Sequence, residues 1–176
     1  MGEKIKINRA PVMTLWATVV SQRLGYDPDE ALTLAKVVTG LNAQSKGRRL
    51  GIYSEQPEEE KPERQRQRQL EEVFSVEILG RPVPAVNTAD GIRAVDKDKP
   101  VSPQSVQRYL ETKFGDTLPQ VQAAFEALAD SYSPEELKVK AYQLYVAFRP
   151  NIPEGEKGWG AKGDLDLGVV KRLKKG

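Results

Sequence analysis

Four places along the chain repeat one device: a cap residue, a proline, and then a polar residue able to bond back. "DPDE" (Asp27 to Glu30) and "SPEE" (Ser133 to Glu136) are complete, with the cap at Asp27 or Ser133, Pro at the first helical position and a reciprocal Glu. "TLPQ" (Thr117 to Gln120) carries its Pro one position later, and "SPQS" (Ser102 to Ser105) lacks the Glu. Between these marks the apolar residues recur at helical spacing. A first helix over residues 11–24 puts Val12, Leu15, Trp16, Val19 and Val20 on one face and stops at Gly25. A second over 28–45 carries Ala31, Leu34, Ala35, Val38 and Leu41 on one face and Leu32 and Val37 on the other. A helix apolar nearly all round is expected at the centre of the fold. Helices over 103–114, 118–132 and 134–148 each show one apolar stripe, and Pro150 stops the last. The aromatics on these stripes are expected to pack the core.

The pattern lapses between Glu55 and Glu72, where "EQPEEEKPERQRQRQLEE" has almost nothing to bury and reads as a flexible charged insert. "VFSVEIL" and "RPVPAV" around Gly80-Arg81 then read as a β-hairpin, its second strand at an edge because of Pro82 and Pro84. A helical turn over 88–95, a loop at "DKDKP" and a basic tail over 164–176 with a short helix complete the reading. The expected fold is therefore mainly α (α+β): one helical domain of about five helices with a small β-hairpin.

Composition narrows the chemistry. At 176 residues the chain suits one domain with a sizeable core. It has neither Cys nor His, which removes thiolate nucleophiles, imidazole bases and zinc sites built from those ligands. A non-enzymatic role and no cofactor or metal are the resulting expectations. Glu77 and Asp90, the carboxylates considered for acid catalysis, have no spaced partner. No window approaches the roughly 18 apolar residues of a membrane span, and no apolar run leads into a signal-cleavage site. A cytoplasmic protein without membrane contact is expected.

The net charge of +2 conceals segregation: +4 over residues 1–50, −3 over 51–72 and +2 over 151–176. The basic groups gather at "AQSKGRRLGI", with Lys46, Arg48 and Arg49 around Gly47, and at Lys171, Arg172 and Lys174 in the tail. Cations beside a glycine suit phosphate binding. They equally suit a helix that ends on a Gly47 C-cap, its carbonyls facing positive charge.

"VSPQSVQRYL" (Val101 to Leu110) resembles the recognition helix of helix-turn-helix DNA-binding proteins, which would make Gln104, Ser105, Gln107 and Arg108 the exposed readers. The motif's first half is missing, since Asp96 stands at the small packed position and Pro100 at the turn glycine. Applied to Glu30 to Leu50, the same register would bury Lys36 and Lys46. "GWGAKG" (Gly158 to Gly163) spells a dinucleotide-binding motif without the strand before it or room for the helix after it, so a tight loop anchored by Trp159 is expected. The long stretch "APVMTLWATVVSQRLGYDPDEALTLAKVVTGLNAQSKGRRLGI" together with "KGWGAKG" resembles a family of small bacterial proteins with no known activity. That resemblance implies a bacterial source and nothing about chemistry.

Three functions remain open. The leading one is a non-enzymatic nucleic-acid-associated protein contacting DNA or RNA phosphates through Lys46, Arg48, Arg49, Gln104, Arg108, Lys171, Arg172 and Lys174. The others are an interaction module for an acidic protein and a His- and Cys-free enzyme acting on a phosphorylated small molecule.

Overall fold

The computed structural model describes residues 4–49, 73–96, 99–150 and 162–174. In chain order they form β1 (Lys4–Asn8), α1 (Arg9–Arg23), α2 (Pro28–Arg49), β2 (Phe74–Ile78), β3 (Arg81–Thr88), β4 (Gly91–Asp96), β5 (Lys99–Pro100), α3 (Pro103–Phe114), a 3-10 turn (Gly115–Thr117), α4 (Leu118–Asp130), α5 (Pro134–Phe148), β6 (Lys162–Asp166) and α6 (Leu167–Arg172). The insert expected over 55–72 lies outside the described residues, as does most of "GWGAKG", of which Lys162 and Gly163 open β6.

The expectation of a mainly helical fold with one small hairpin is wrong. There are two sheets, one of two strands in the order β1-β6 and one of four in the order β2-β3-β4-β5, so the fold is mixed α+β. The span expected as a helical turn over 88–95 is instead a β-turn and β4. Thr88 Oγ1 accepts from Asp90 N (3.2 Å) and donates to Gly91 O (2.7 Å), and Gly91 takes φ +117°. This is turn chemistry, and it closes a two-residue hairpin. Part of "DKDKP" likewise pairs as β5, with Val95 opposite Pro100 and Asp96 opposite Lys99.

Pro82 and Pro84 mislead in an instructive way. β3 is an interior strand, but β4 pairs only with its second half, from Ala85 to Thr88. Counting outward from the Leu79-Gly80 turn, both prolines fall at positions whose N–H would point away from β2, where the pairing with β4 does not reach. Neither proline therefore removes a ladder bond.

α1, not α2, is the central helix: every residue from Ala10 to Ser21 is buried. Its two buried threonines are satisfied within the helix pair, while the buried Ser21 hydroxyl has no hydrogen-bond partner among the described residues. Thr14 Oγ1 donates to Ala10 O (2.9 Å), Thr18 Oγ1 to Thr14 O (2.8 Å), and Thr14 and Thr39 share a hydroxyl bond of 2.9 Å that sets the level at which α2 runs antiparallel to α1. Trp16 is fully buried at the middle of the core. Its Nε1 donates to Ala141 O of α5 (2.9 Å), and its rings meet Phe125 and Phe148 edge-on with centroids 5.7 and 5.3 Å apart. α1 ends as expected at Gly25 (φ +114°), with Tyr26 N donating to Ser21 O and Gly25 N to Gln22 O, the paired bonds of a Schellman cap.

α2 does more than cover the sheet. In β4 the N–H groups of Ile92 and Ala94 point away from β3, along an edge that β5 covers only at Val95 and Asp96. Glu30 Oε2 accepts from Ile92 N (2.8 Å) and Thr33 Oγ1 from Ala94 N (3.0 Å), while Lys36 Nζ meets Asp96 Oδ2 at 3.2 Å. Side chains three residues apart on the helix thus replace the missing strand. Glu30 is also the reciprocal member of the capping box, accepting from Asp27 N (3.1 Å) while Glu30 N donates to Asp27 Oδ1 (2.8 Å). The second box, Ser133 with Glu136, forms as expected. Thr117 does not cap α4 through its side chain; it closes the 3-10 turn by donating to Phe114 O (2.6 Å).

Candidate functional site

Gly47 does not end α2. The helix continues through it to Arg49, so Lys46, Arg48 and Arg49 sit in its last turns rather than in a loop. A glycine inside a helix costs roughly 1 kcal/mol against Ala, and a helix of this length absorbs that. The 21 residue steps from Pro28 to Arg49 correspond to about 32 Å of helix. These three cations therefore stand at the far end of the α1–α2 pair from the connection at Gly25.

The other predicted residues gather near that connection. Gln104, Gln107 and Arg108 of α3, with Pro103, face Pro28, Asp29 and Leu32 of α2 across an open cleft of about 490 Å³. What precedes α3 is strand β4 and the short β5, not a helix, so the helix-turn-helix reading fails on architecture as well as on sequence. The cleft sets one cation, Arg108, across from one anion, Asp29. Its helix ends are already occupied, α2 by the Asp27–Glu30 box and α3 by Ser102 Oγ accepting from Ser105 N (3.4 Å).

The tail is anchored at a tyrosine. Asp166 Oδ1 accepts from Gly168 N (2.8 Å) and starts α6; Leu167 and Val170 are buried, and Lys171, Arg172 and Lys174 are exposed. Tyr132, just after α4, ties three other elements to this point. Its hydroxyl donates to Leu173 O (3.1 Å), its carbonyl accepts from Nε and Nη2 of Arg23 (3.2 and 2.9 Å), and Lys140 Nζ of α5 lies 5.6 Å from its ring centre. Two cations from distant segments thus meet at the residue that binds the tail backbone at Leu173. Among the described residues none of Lys171, Arg172 and Lys174 is in an ion pair, whereas Lys6 and Lys36 are paired with Asp164 and Asp96.

Sequence reasoning missed Arg23, Tyr132 and Lys140. Tyr132 was assigned to core packing; it is only partly buried. Its contacts reach from Arg23 in α1 to Leu173 after α6, and no local spacing signals such a convergence.

Glu77 is exposed on β2 and Asp90 in the β3–β4 turn. Among the described residues no group of three or more His, Cys, Asp or Glu could hold a metal ion, and no helix is long and apolar enough to cross a membrane. Comparison with protein-family models, with curated proteins and with solved structures finds no match.

Proposed function

We propose that this protein binds nucleic-acid phosphates through the basic cluster around Tyr132, with Lys171, Arg172 and Lys174 as direct contacts and Lys140 and Arg23 raising the local potential. The observation that carries the reading is the anchoring of the tail. Three exposed cations, without ionic partners among the described residues, flank the Leu173 carbonyl that Tyr132 holds, and Tyr132 also meets Arg23 and Lys140. Held cations release bound counterions from a polyanion at less entropic cost than a free tail would. Arg108 and Gln104 lie near the same end of the α1–α2 pair and would extend the surface. Lys46, Arg48 and Arg49, at the opposite end, would form a separate contact.

The test is fluorescence anisotropy of labelled DNA and RNA at low salt, with three variants. Neutralising three phosphates gives a slope of about −3 in log K against log salt. The triple change Lys171→Glu, Arg172→Glu, Lys174→Glu removes most binding and flattens that slope; Arg48→Glu with Arg49→Glu tests the other end, and Arg108→Glu the cleft. Binding that survives the tail variant, or no binding of either nucleic acid, defeats the proposal. The enzyme reading gains no support from the cleft, which sets Arg108 across from Asp29, itself 4.0 Å from Arg93 Nη2, and lies far from the backbone of Lys46 and Arg48.

A further inference from the structure

α5 turns one face to the core and leaves another bare. Val139 is 77% exposed, Tyr142 39% and Val146 41%, the exposed large hydrophobics among the described residues. Glu135 before them and Arg149, the half-buried C-cap residue after α5, extend the series in steps of four, three, four and three residues, which lines all five up along one side of the helix. The order along the stripe is anion, Val, Tyr, Val, cation.

That order is complementary to itself when reversed. We propose that a second copy of this chain covers the stripe, with the two α5 helices antiparallel across a two-fold axis at Tyr142. Glu135 and Arg149 are each seven residues from Tyr142 in opposite directions, so the axis sets Glu135 of one copy against Arg149 of the other, twice. Val139 of one copy then lies within one residue step, about 1.5 Å, of Val146 of the other. A parallel arrangement would oppose Glu135 to Glu135 and Arg149 to Arg149, and like charges disfavour it. The contact is isologous, as two-fold dimers require. Three apolar side chains per copy make a small interface, so the dimer is weak, with a Kd of about 0.1 mM. This inference is independent of nucleic-acid binding.

Sedimentation equilibrium across that concentration range is the test. Wild type moves from monomer towards dimer. Val139→Lys, at a position too exposed to affect folding, remains monomeric with an unchanged circular dichroism spectrum. Glu135→Arg alone and Arg149→Glu alone each associate about tenfold more weakly, because each creates two like-charge pairs. An equimolar mixture of these two variants restores both attractions and associates at least as well as wild type. Monomeric wild type up to about 1 mM, association undiminished by Val139→Lys, or a mixture no stronger than its components would each overturn the proposal.

Discussion

Thr33→Val tests whether α2 substitutes for a strand along β4. Thr33 is fully buried, and its Oγ1 accepts from Ala94 N (3.0 Å) while donating to Glu30 O (2.9 Å). Valine keeps the shape and supplies a methyl where the hydroxyl was, so no cavity opens. Two effects compete. Burying the extra methyl gains about 0.8 kcal/mol, and stranding a buried N–H costs about 1–3 kcal/mol. Losing the donation to Glu30 O costs little, since that carbonyl is free to accept within the helix. The net expectation is a loss of about 0.2–2 kcal/mol, or a fall of up to about 1 M in the urea midpoint at an ordinary slope. Thr33→Ser supplies the contrast: it keeps the acceptor and loses only a methyl, so it costs about 1 kcal/mol by a packing route. Amide exchange separates the two routes. The Ala94 amide loses protection selectively in Thr33→Val and keeps it in Thr33→Ser. A Thr33→Val protein as stable as wild type, with Ala94 still protected, would refute the assignment of Thr33 as that amide's partner.

Gly91→Ala should cost about 2 kcal/mol, because φ +117° is a poor conformation for alanine and its Cβ would meet Glu30 Oε2 at 3.0 Å. Adding Glu30→Ala relieves that contact, so a thermal-melt cycle gives a double variant less destabilised than the sum of the singles; strict additivity would mean that the two residues do not touch. Burial raises the Tyr145 hydroxyl from 10.0 to about 12, against the lowering effect of Arg149 and Arg9. Because the folded state holds this proton more tightly, the contribution is intact below pH 10 and is lost as pH rises towards 12. That loss amounts to about 2–3 kcal/mol. Denaturant melts from pH 8 to 12 should show Tyr145→Phe losing less stability over this range than wild type; parallel curves would contradict the assignment.

The elements legible in the sequence were those set by neighbouring residues. Both complete capping boxes form, Gly25 ends α1, and the three helices after Pro103 lie where their stripes placed them. What escaped depends on residues far apart in the chain. β1 and β6 are five residues each, with only Ile5, Ile7 and Leu165 as apolar cues, and each is a strand only because the other is present. β4 reads as a weak helical turn until Glu30 and Thr33 are seen to satisfy its edge. Gly47 reads as a terminator by local preference, yet α2 runs through it. The candidate site divides the same way: the cations were visible by type, but the meeting of Arg23, Lys140 and the Leu173 carbonyl at Tyr132, and the place of Arg48 and Arg49 at the other end of α2, came only with the fold.

The pairing of β1 with β6 also bears on the order of assembly. Lys4 stands opposite Asp166 and Ile7 opposite Gly163, so the strand that leads directly into the buried helix α1 finds its partner only after all the elements between them have been made. On the ribosome, the α1–α2 hairpin can close early through short-range contacts, but the end of it that carries β1 has to wait. A circular permutant in which a short linker leads from α6 into β1, with the chain opened elsewhere, would turn this step into a local one and should fold faster than the original order.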